Sequence, residues 1–338
     1  MQTILVTGGC GYIGAHTIVD LIEHGFDVIS ADNLSRASDN SLLGIEKITG
    51  KKIKNYQVDL TDKKATETIF IENPSIIGII HFAAYKAVGE SVEKPLEYYE
   101  NNLFSLVHLL NMSAKYNAKH FIFSSSCTVY GNPNTIPVTE DTPLQTAASP
   151  YGATKQMGET IVRDAAFSYP LSTILLRYFN PVGAHPSTAI GELPIGRPQN
   201  LVPAITQTAI GKLPTMQVHG ADYDTRDGSC IRDYIHVCDL AEAHVKALKH
   251  LLEQKEASSY YDFFNIGTGD GTSVLQIIQA FEKTTGEKVN YELKPRRSGD
   301  ITAVYAAIGK SKDVLGWQSK RSLEESLKDA WAWQKALL

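Results

Sequence analysis

Cysteine is scarce: Cys10, Cys127, Cys230 and Cys238 are the only four in 338 residues. None forms a CxxC pair or stands at a zinc-like spacing from histidine, so neither a disulfide framework nor a metal site is expected. No apolar run approaches the ~18 residues that span a bilayer, and the N-terminus enters an apolar strand without a charged leader region. The expected location is the cytoplasm, with no membrane partner. An excess of positive charge is also missing. Thirty-two Lys and Arg stand against 37 Asp and Glu, a formal net charge of -5. No long-range field therefore draws a nucleic acid, and an anionic ligand must be held by local groups.

What remains is the composition of a packed globular chain, 43% hydrophobic and 20% charged, too long for one typical domain. Strand and helix alternate through its first half. Thr3 to Thr7, Asp27 to Ala31, Lys54 to Val58, Ile76 to Phe82, His120 to Ser124 and Ser172 to Tyr178 read as short buried strands. Ile13 to His24, Pro95 to Tyr116 and Pro150 to Phe167 carry helical apolar stripes. This alternation predicts a Rossmann-type doubly wound parallel sheet with a smaller α/β C-terminal substrate lobe. Prolines 181, 186, 194, 198 and 203 mark the change of character after Asn180. The expected division is residues 1–180, with return segments from about 237–270, and residues 181–338.

Gly8, Gly11 and Gly14 follow the first strand and open the first helix, with Gly9 giving a second G-x-G-x-x-G reading. Bare backbone there lets a pyrophosphate reach the free N–H groups of the helix N-terminus. Asp32 ends the second strand, where a carboxylate meets the adenine ribose hydroxyls and selects NAD over NADP. Asp59, at the end of the third strand, is placed at the adenine, although such an Asp also suits a helix cap. Phe82, Ala83 and Ala84 close the fourth strand with mostly small side chains, fit to lie beside a cofactor.

Tyr151 and Lys155 stand i, i+4 just after Ser149 and Pro150, so they share one helix face. Bringing a tyrosine from its ordinary pKa of about 10 to near 7 costs about 4 kcal/mol. A cation about 4 Å away at an effective dielectric of about 20 supplies roughly that amount. Lys155, helped by the positive charge of an oxidised nicotinamide, makes Tyr151 a usable base. Ser124, Ser125 and Ser126 end the fifth strand on its carboxyl side, and Ser126 offers a hydroxyl to the same substrate oxygen.

The segments TGGCGYIG, SSSCTVYG, YGATK, RYFNPVGAHP and RDYIHV resemble the extended short-chain dehydrogenase/reductase family. KAVGESVEKPLEYYENN, LRYFNPVGAHPS, DGSCIRDYIHVCDLA and PRRSGD are similar, more narrowly, to its UDP-glucose 4-epimerase branch. The resemblance implies NAD contacts from Gly8, Gly11, Tyr12, Ile13, Gly14, Asp32, Asn33, Asp59, Leu60, Phe82, Ala83, Ala84, Lys86, Asn101, Ser124, Tyr151, Lys155 and Tyr178. It implies catalytic roles for Tyr151, Lys155 and Ser126. For a UDP-sugar substrate it implies Ser126, Tyr151, Phe179, Asn180, Asn200, Leu201, Arg232, Tyr234, Val274, Arg297, Asp300 and Val304. Two guanidinium groups suit a diphosphate held by an acidic protein, whereas Arg296 reads equally well as solvated surface.

The activity so implied is interconversion of UDP-galactose and UDP-glucose, in galactose metabolism, by transient oxidation at C4 and rotation of the 4-keto sugar. Val304 stands where some members carry a bulky Tyr, which implies room for an N-acetyl group. His219 replaces an expected Phe near the uracil. A 4,6-dehydratase would need an acidic pair after the hydroxyl residue, and here Cys127 and Thr128 follow Ser126. A catalytically dead NAD sensor would tend to lose the Tyr/Lys pair, which is kept. The helices at Pro95 and Pro150 form the family's dimer surface, so a homodimer is expected, and with the chain ending at Leu338 no fused mutarotase is expected.

Overall fold

The computed structural model describes residues 2–254, 259–297 and 299–338; Ser298 of the PRRSGD segment lies outside them. The chain opens with β1 (Thr3–Thr7), α1 (Tyr12–Glu23), β2 (Asp27–Ala31), α2 (Asn40–Thr49), β3 (Lys54–Tyr56), α3 (Lys63–Glu72), β4 (Ile76–His81), α4 (Val88–Glu93), α5 (Pro95–Lys115) and β5 (His120–Ser124). After a 3₁₀ turn at Cys127–Tyr130 come α6 (Pro150–Ser168), β6 (Ser172–Tyr178), β7 (Asn180–Val182), α7 (Leu201–Ala209), β8 (Met216–His219), β9 (Ile231–His236), α8 (Val237–Glu253) and β10 (Tyr260–Ile266). The remainder is β11 (Gly271–Ser273), α9 (Val274–Thr285), β12 (Tyr291–Lys294), β13 (Ala303–Val304), α10 (Gly309–Leu315) and α11 (Leu323–Ala336).

Seven parallel strands form one sheet in the order β10-β6-β5-β4-β1-β2-β3. Its strands are apolar on both faces because helices cover both. Ile4, Val6, Ile80, Ile122 and Ile174 pack with α1 and α8. Leu5, Ile79, Phe121, Phe123 and Leu175 pack under α3, α5 and α6. This is the expected Rossmann-type sheet. From β1 the chain winds outward through β2 and β3, then crosses back to β4, so the switch point and its crevice lie at the carboxyl ends of β1 and β4.

The third strand is shorter than the pattern predicts. It ends at Tyr56, because the Val58 amide turns back to the Tyr56 carbonyl oxygen at 3.0 Å. Asp59 therefore sits in the following loop rather than on the strand. In the second lobe β9 lies between antiparallel β11 and parallel β13 and also pairs with β7, while β12 pairs with β8. Helices α7, α9 and α11 close over Ile205, Val218, Phe281, Leu327 and Trp331. The chain then re-enters the first sheet: β10 pairs with β6 over seven residues, from Tyr260 with Ser172 to Ile266 with Tyr178.

Candidate active site

The turn from β1 into α1 is built for backbone approach. Gly8 has φ +68°, and a Cβ there would lie 2.8 Å from the Ala83 amide nitrogen. A Cβ at Gly14 would collide with the carbonyl oxygen of Gly8. Bare backbone at these two positions leaves the α1 N-terminus open to an anion, with Gly11, Tyr12 and Ile13 at its start. The cradle therefore fits a dinucleotide pyrophosphate. The Asp32 carboxylate sits beside it, accepting the Cys10 amide at 3.1 Å and the Leu34 amide at 2.9 Å. Burial pushes its pKa up against those hydrogen bonds. Asn33 accepts from the Ser35 amide at 3.0 Å.

Asp59 does not cap the next helix. It accepts from the Thr61 amide at 2.9 Å, while Asp62 caps α3 through the amides of Lys64 and Ala65. The neighbouring Leu60 is buried, and its carbonyl oxygen meets His108 Nδ1 at 3.0 Å. Phe82 continues the sheet bonding through its amide to the Thr7 carbonyl oxygen at 3.0 Å, which sets Ala83 against the glycine turn, with Ala84 following it in the chain.

The expected catalytic residues meet at the carboxyl end of β5. Ser149 caps α6 by accepting the Gly152 amide at 3.2 Å, and Pro150 occupies its first turn, so Tyr151 and Lys155 share the face turned to the sheet. Both are buried, with Ser126 buried beside them. The Lys155 ammonium donates to the Ser124 carbonyl oxygen at 2.6 Å and lies 5.8 Å from the Tyr151 ring centroid. Ser124 Oγ is hydrogen-bonded to the Tyr178 hydroxyl. Burial pushes the Tyr151 hydroxyl well above the ordinary range, although a hydrogen bond with Ser126 opposes it. Burial also lowers Lys155 to about 7. Burial thus works against the charged form of both side chains, and positive charge brought by a ligand would favour the tyrosinate.

The two lobes meet across the crevice. Lys86 and Asn200 both donate to one oxygen of Glu192, at 3.4 and 2.5 Å. The Tyr12 hydroxyl donates to the Gly183 carbonyl oxygen at 2.6 Å. Phe179 is buried, while Asn180 pairs with Tyr234 across β7 and β9, and Leu201 and Val274 open α7 and α9. Arg232 donates to its neighbour's carbonyl oxygen at Ile231, and Arg297 Nε meets Asp300 at 3.1 Å. Burial first, and Arg297 second, lower the His219 pKa, so His219 stands with this cluster. Arg296 instead grips Asp222 at 2.8 Å over the Tyr223 ring, as a surface residue would. Val304 is buried with Cys127 and Phe179.

Several site-shaping residues escape sequence reasoning. Asn102, next to the expected Asn101, is the buried member of the pair: it takes the Tyr85 amide at 2.8 Å and donates to Thr154 at 3.2 Å, tying the β4 loop to α6. Asp233 accepts from the amides of Thr268, Gly269 and Ala306 and from the Thr268 hydroxyl, fixing three strand ends around β9. Its place between Arg232 and Tyr234 in RDYIHV was the available signal. Glu159 and Arg177 form a buried bidentate pair at 2.8 and 2.6 Å.

The sequence profile of the family described as GDP-mannose 4,6 dehydratase matches residues 5–330. UDP-glucose 4-epimerase of Bacillus subtilis is 51% identical over 336 residues, covering 99% of this chain and 97% of that protein. The chain belongs to the UDP-glucose 4-epimerase family. An Arabidopsis thaliana member, UDP-glucose 4-epimerase 2, is 48% identical over 98% of this chain and 95% of its own. Among solved epimerases, that of Bifidobacterium longum, in complex with NAD+ and UDP, superposes with a TM-score of 0.95 at 47% identity over 99% and 98% of the two chains. The Stenotrophomonas maltophila epimerase, with bound NAD and formylated UDP-arabinopyranose, gives 0.94 at 43% over 100% and 99%.

Proposed function

We propose that this chain interconverts UDP-galactose and UDP-glucose as an NAD-dependent 4-epimerase. The observation that carries the reading is the convergence of Tyr151, Lys155 and Ser126, all buried, at the carboxyl end of β5, in a chain 51% identical to an epimerase. NAD, when bound, would supply the hydride acceptor and donor for C4 of the sugar. The open α1 N-terminus and the Gly8, Gly11 and Gly14 backbone would hold its pyrophosphate, with Asp32 at the adenosine ribose, Asp59 at the adenine, and Asn33 and Leu60 as further contacts. Phe82, Ala83, Ala84, Lys86, Asn101, Ser124 and Tyr178 line the rest.

Tyr151 takes the proton of the sugar 4-hydroxyl and later gives it back, while Ser126 holds the same oxygen. Lys155, fixed on the Ser124 carbonyl oxygen, supplies charge beneath the phenol. Asn180, Asn200, Leu201, Arg232, Tyr234, Val274, Arg297 and Asp300 anchor UDP strongly, leaving the sugar beside Phe179 free to turn over between the two half-reactions. Dehydration is not supported: Cys127 and Thr128 follow Ser126, and burial pushes the Cys127 thiol up to about 11, so no acid stands there.

The small Val304 beside Phe179 favours N-acetylated UDP-sugars as additional substrates. A homodimer through α5 and α6 accounts for the exposure of Leu96, Phe104, Met157 and Phe167 on those helices. The four free thiols suit the cytoplasm, and among the described residues no helix is long and apolar enough to cross a membrane.

The test is to incubate the purified protein with UDP-galactose, without added NAD, and identify the products by NMR. Formation of UDP-glucose supports the reading together with a retained cofactor. Unchanged UDP-galactose in a sample shown to contain NAD overturns it.

A further inference from the structure

Beneath the reactive side chains lies a buried polar network that the chemistry above does not use. Glu159 stands one helical turn beyond Lys155 on α6. Its Oε1 accepts from Ser125 Oγ at 2.5 Å and from Arg177 Nε at 2.8 Å, and its Oε2 accepts from Arg177 Nη2 at 2.6 Å. Arg177 also donates to the Tyr130 hydroxyl at 3.1 Å, which in turn donates to Asn265 on β10 at 2.6 Å. Its guanidinium lies 4.3 Å from the Phe263 ring centroid. Ser125, Glu159 and Arg177 are all buried.

The linked elements are those that deliver the reactive groups. Ser125 is flanked by Ser124, whose carbonyl oxygen receives Lys155 and whose hydroxyl meets Tyr178, and by Ser126. Arg177 precedes Tyr178 on β6, and Glu159 shares a helix with Tyr151 and Lys155. Stability alone is a poor reason for such a pair, since a buried ion pair replaced by apolar side chains of similar volume is often no less stable. We propose that Ser125, Glu159 and Arg177 are positioning residues: the Ser125–Glu159 hydrogen bond, braced by Arg177, fixes the Ser124 carbonyl and the Ser126 hydroxyl in register with Lys155 and Tyr151. This inference rests on the epimerase reading.

Two variants test it, each assayed with UDP-galactose per mole of folded, NAD-bearing enzyme. Ser125→Ala removes the hydroxyl and leaves the ion pair. The double variant Glu159→Leu/Arg177→Met removes the acceptor and replaces both charges with apolar side chains of comparable length. Misplacing reacting groups by about 1 Å costs on the order of 10²-fold. The expected result is a kcat lowered about 10- to 100-fold in Ser125→Ala with KM within about threefold of native. The double variant is expected to keep its melting temperature and lose kcat to a similar degree. A kcat within about twofold of native in Ser125→Ala, or a change confined to KM, overturns the proposal, as does a folded double variant with native kcat. Where the double variant does not fold, Ser125→Ala decides. A native protein inactive on UDP-galactose overturns the epimerase reading itself, whereas an active native protein with an undiminished Ser125→Ala overturns this inference alone.

Discussion

Lys155 and Tyr151 share a helix face, yet the lysine ammonium spends its hydrogen bond on the Ser124 carbonyl oxygen at 2.6 Å and reaches the tyrosine only through space, 5.8 Å from its ring centroid. In the proposed mechanism lysine acts on the phenol as a field, and the phenol alone handles the proton. Tyr151→Phe is expected to purify with NAD bound and to lose about 10²-fold or more in kcat, the scale of a missing general base. Turnover of UDP-galactose, with the nucleotide released on denaturation measured in parallel, checks both halves. A near-native rate removes Tyr151 from the chemistry.

A methyl group at Gly14 would collide with the Gly8 carbonyl oxygen, whereas one at Gly89 would meet open space. Gly14→Ala should therefore lose bound NAD, and Gly89→Ala should keep it. The nucleotide content of the two purified proteins gives the answer, and equal content would show that the turn tolerates a side chain.

His244 is fully buried between Phe82, at 4.7 Å between ring centroids, and Tyr178, at 5.9 Å, and burial lowers its pKa to about 4. An unfolded chain binds a proton at this residue below about 6.5. Between about 4 and 6.5 the unfolded state therefore holds the extra proton, and falling pH costs the folded state up to about 1.4 kcal/mol per unit through this group alone. His244→Leu lacks that cost. The stability of the native protein relative to the variant should fall from pH 7.5 to pH 5, as read by urea unfolding; a constant difference would mean that His244 binds its proton equally well in the folded and unfolded chains.

Val304 is buried against Phe179 and Cys127. With valine there, UDP-GalNAc is expected to turn over alongside UDP-galactose, and Val304→Tyr should suppress the N-acetylated substrate at least about tenfold more, the scale of a lost apolar fit. No detectable turnover of UDP-GalNAc by the native enzyme, beside brisk turnover of UDP-galactose, would sink this expectation.

The sheet was legible because β1, β4, β5 and β6 are uninterrupted apolar runs bounded by turn residues, a pattern that buried parallel strands require. The Tyr151/Lys155 pair was legible because a cap at Ser149 and a proline beside it fix the helix phase. Asp59 was placed on a strand that in fact ends three residues earlier, since strand ends are set by backbone bonding and the local sequence carries only a weak signal of it. Asn102, Glu192 and the Glu159–Arg177 pair carry no sequence signal, and Asp233 carries only its place in RDYIHV. Each joins elements distant in the chain, and no spacing rule reaches from residue 159 to 177 or from 86 to 192.

The return of β10 to the edge of β6 bears on how the chain is made. A ribosome releases every residue of the glycine turn, the serine strand and the Tyr/Lys helix before residues 260–266 exist, and until they emerge β6 presents a bare row of amides and carbonyls. The nascent sheet is thus a sticky, incomplete edge for the time taken to synthesise some eighty further residues, on the order of 4–16 s at ribosomal speed. The first sheet is therefore completed only by a strand made after the intervening second-lobe segments, so its edge depends on chain that a cut after residue 180 would discard.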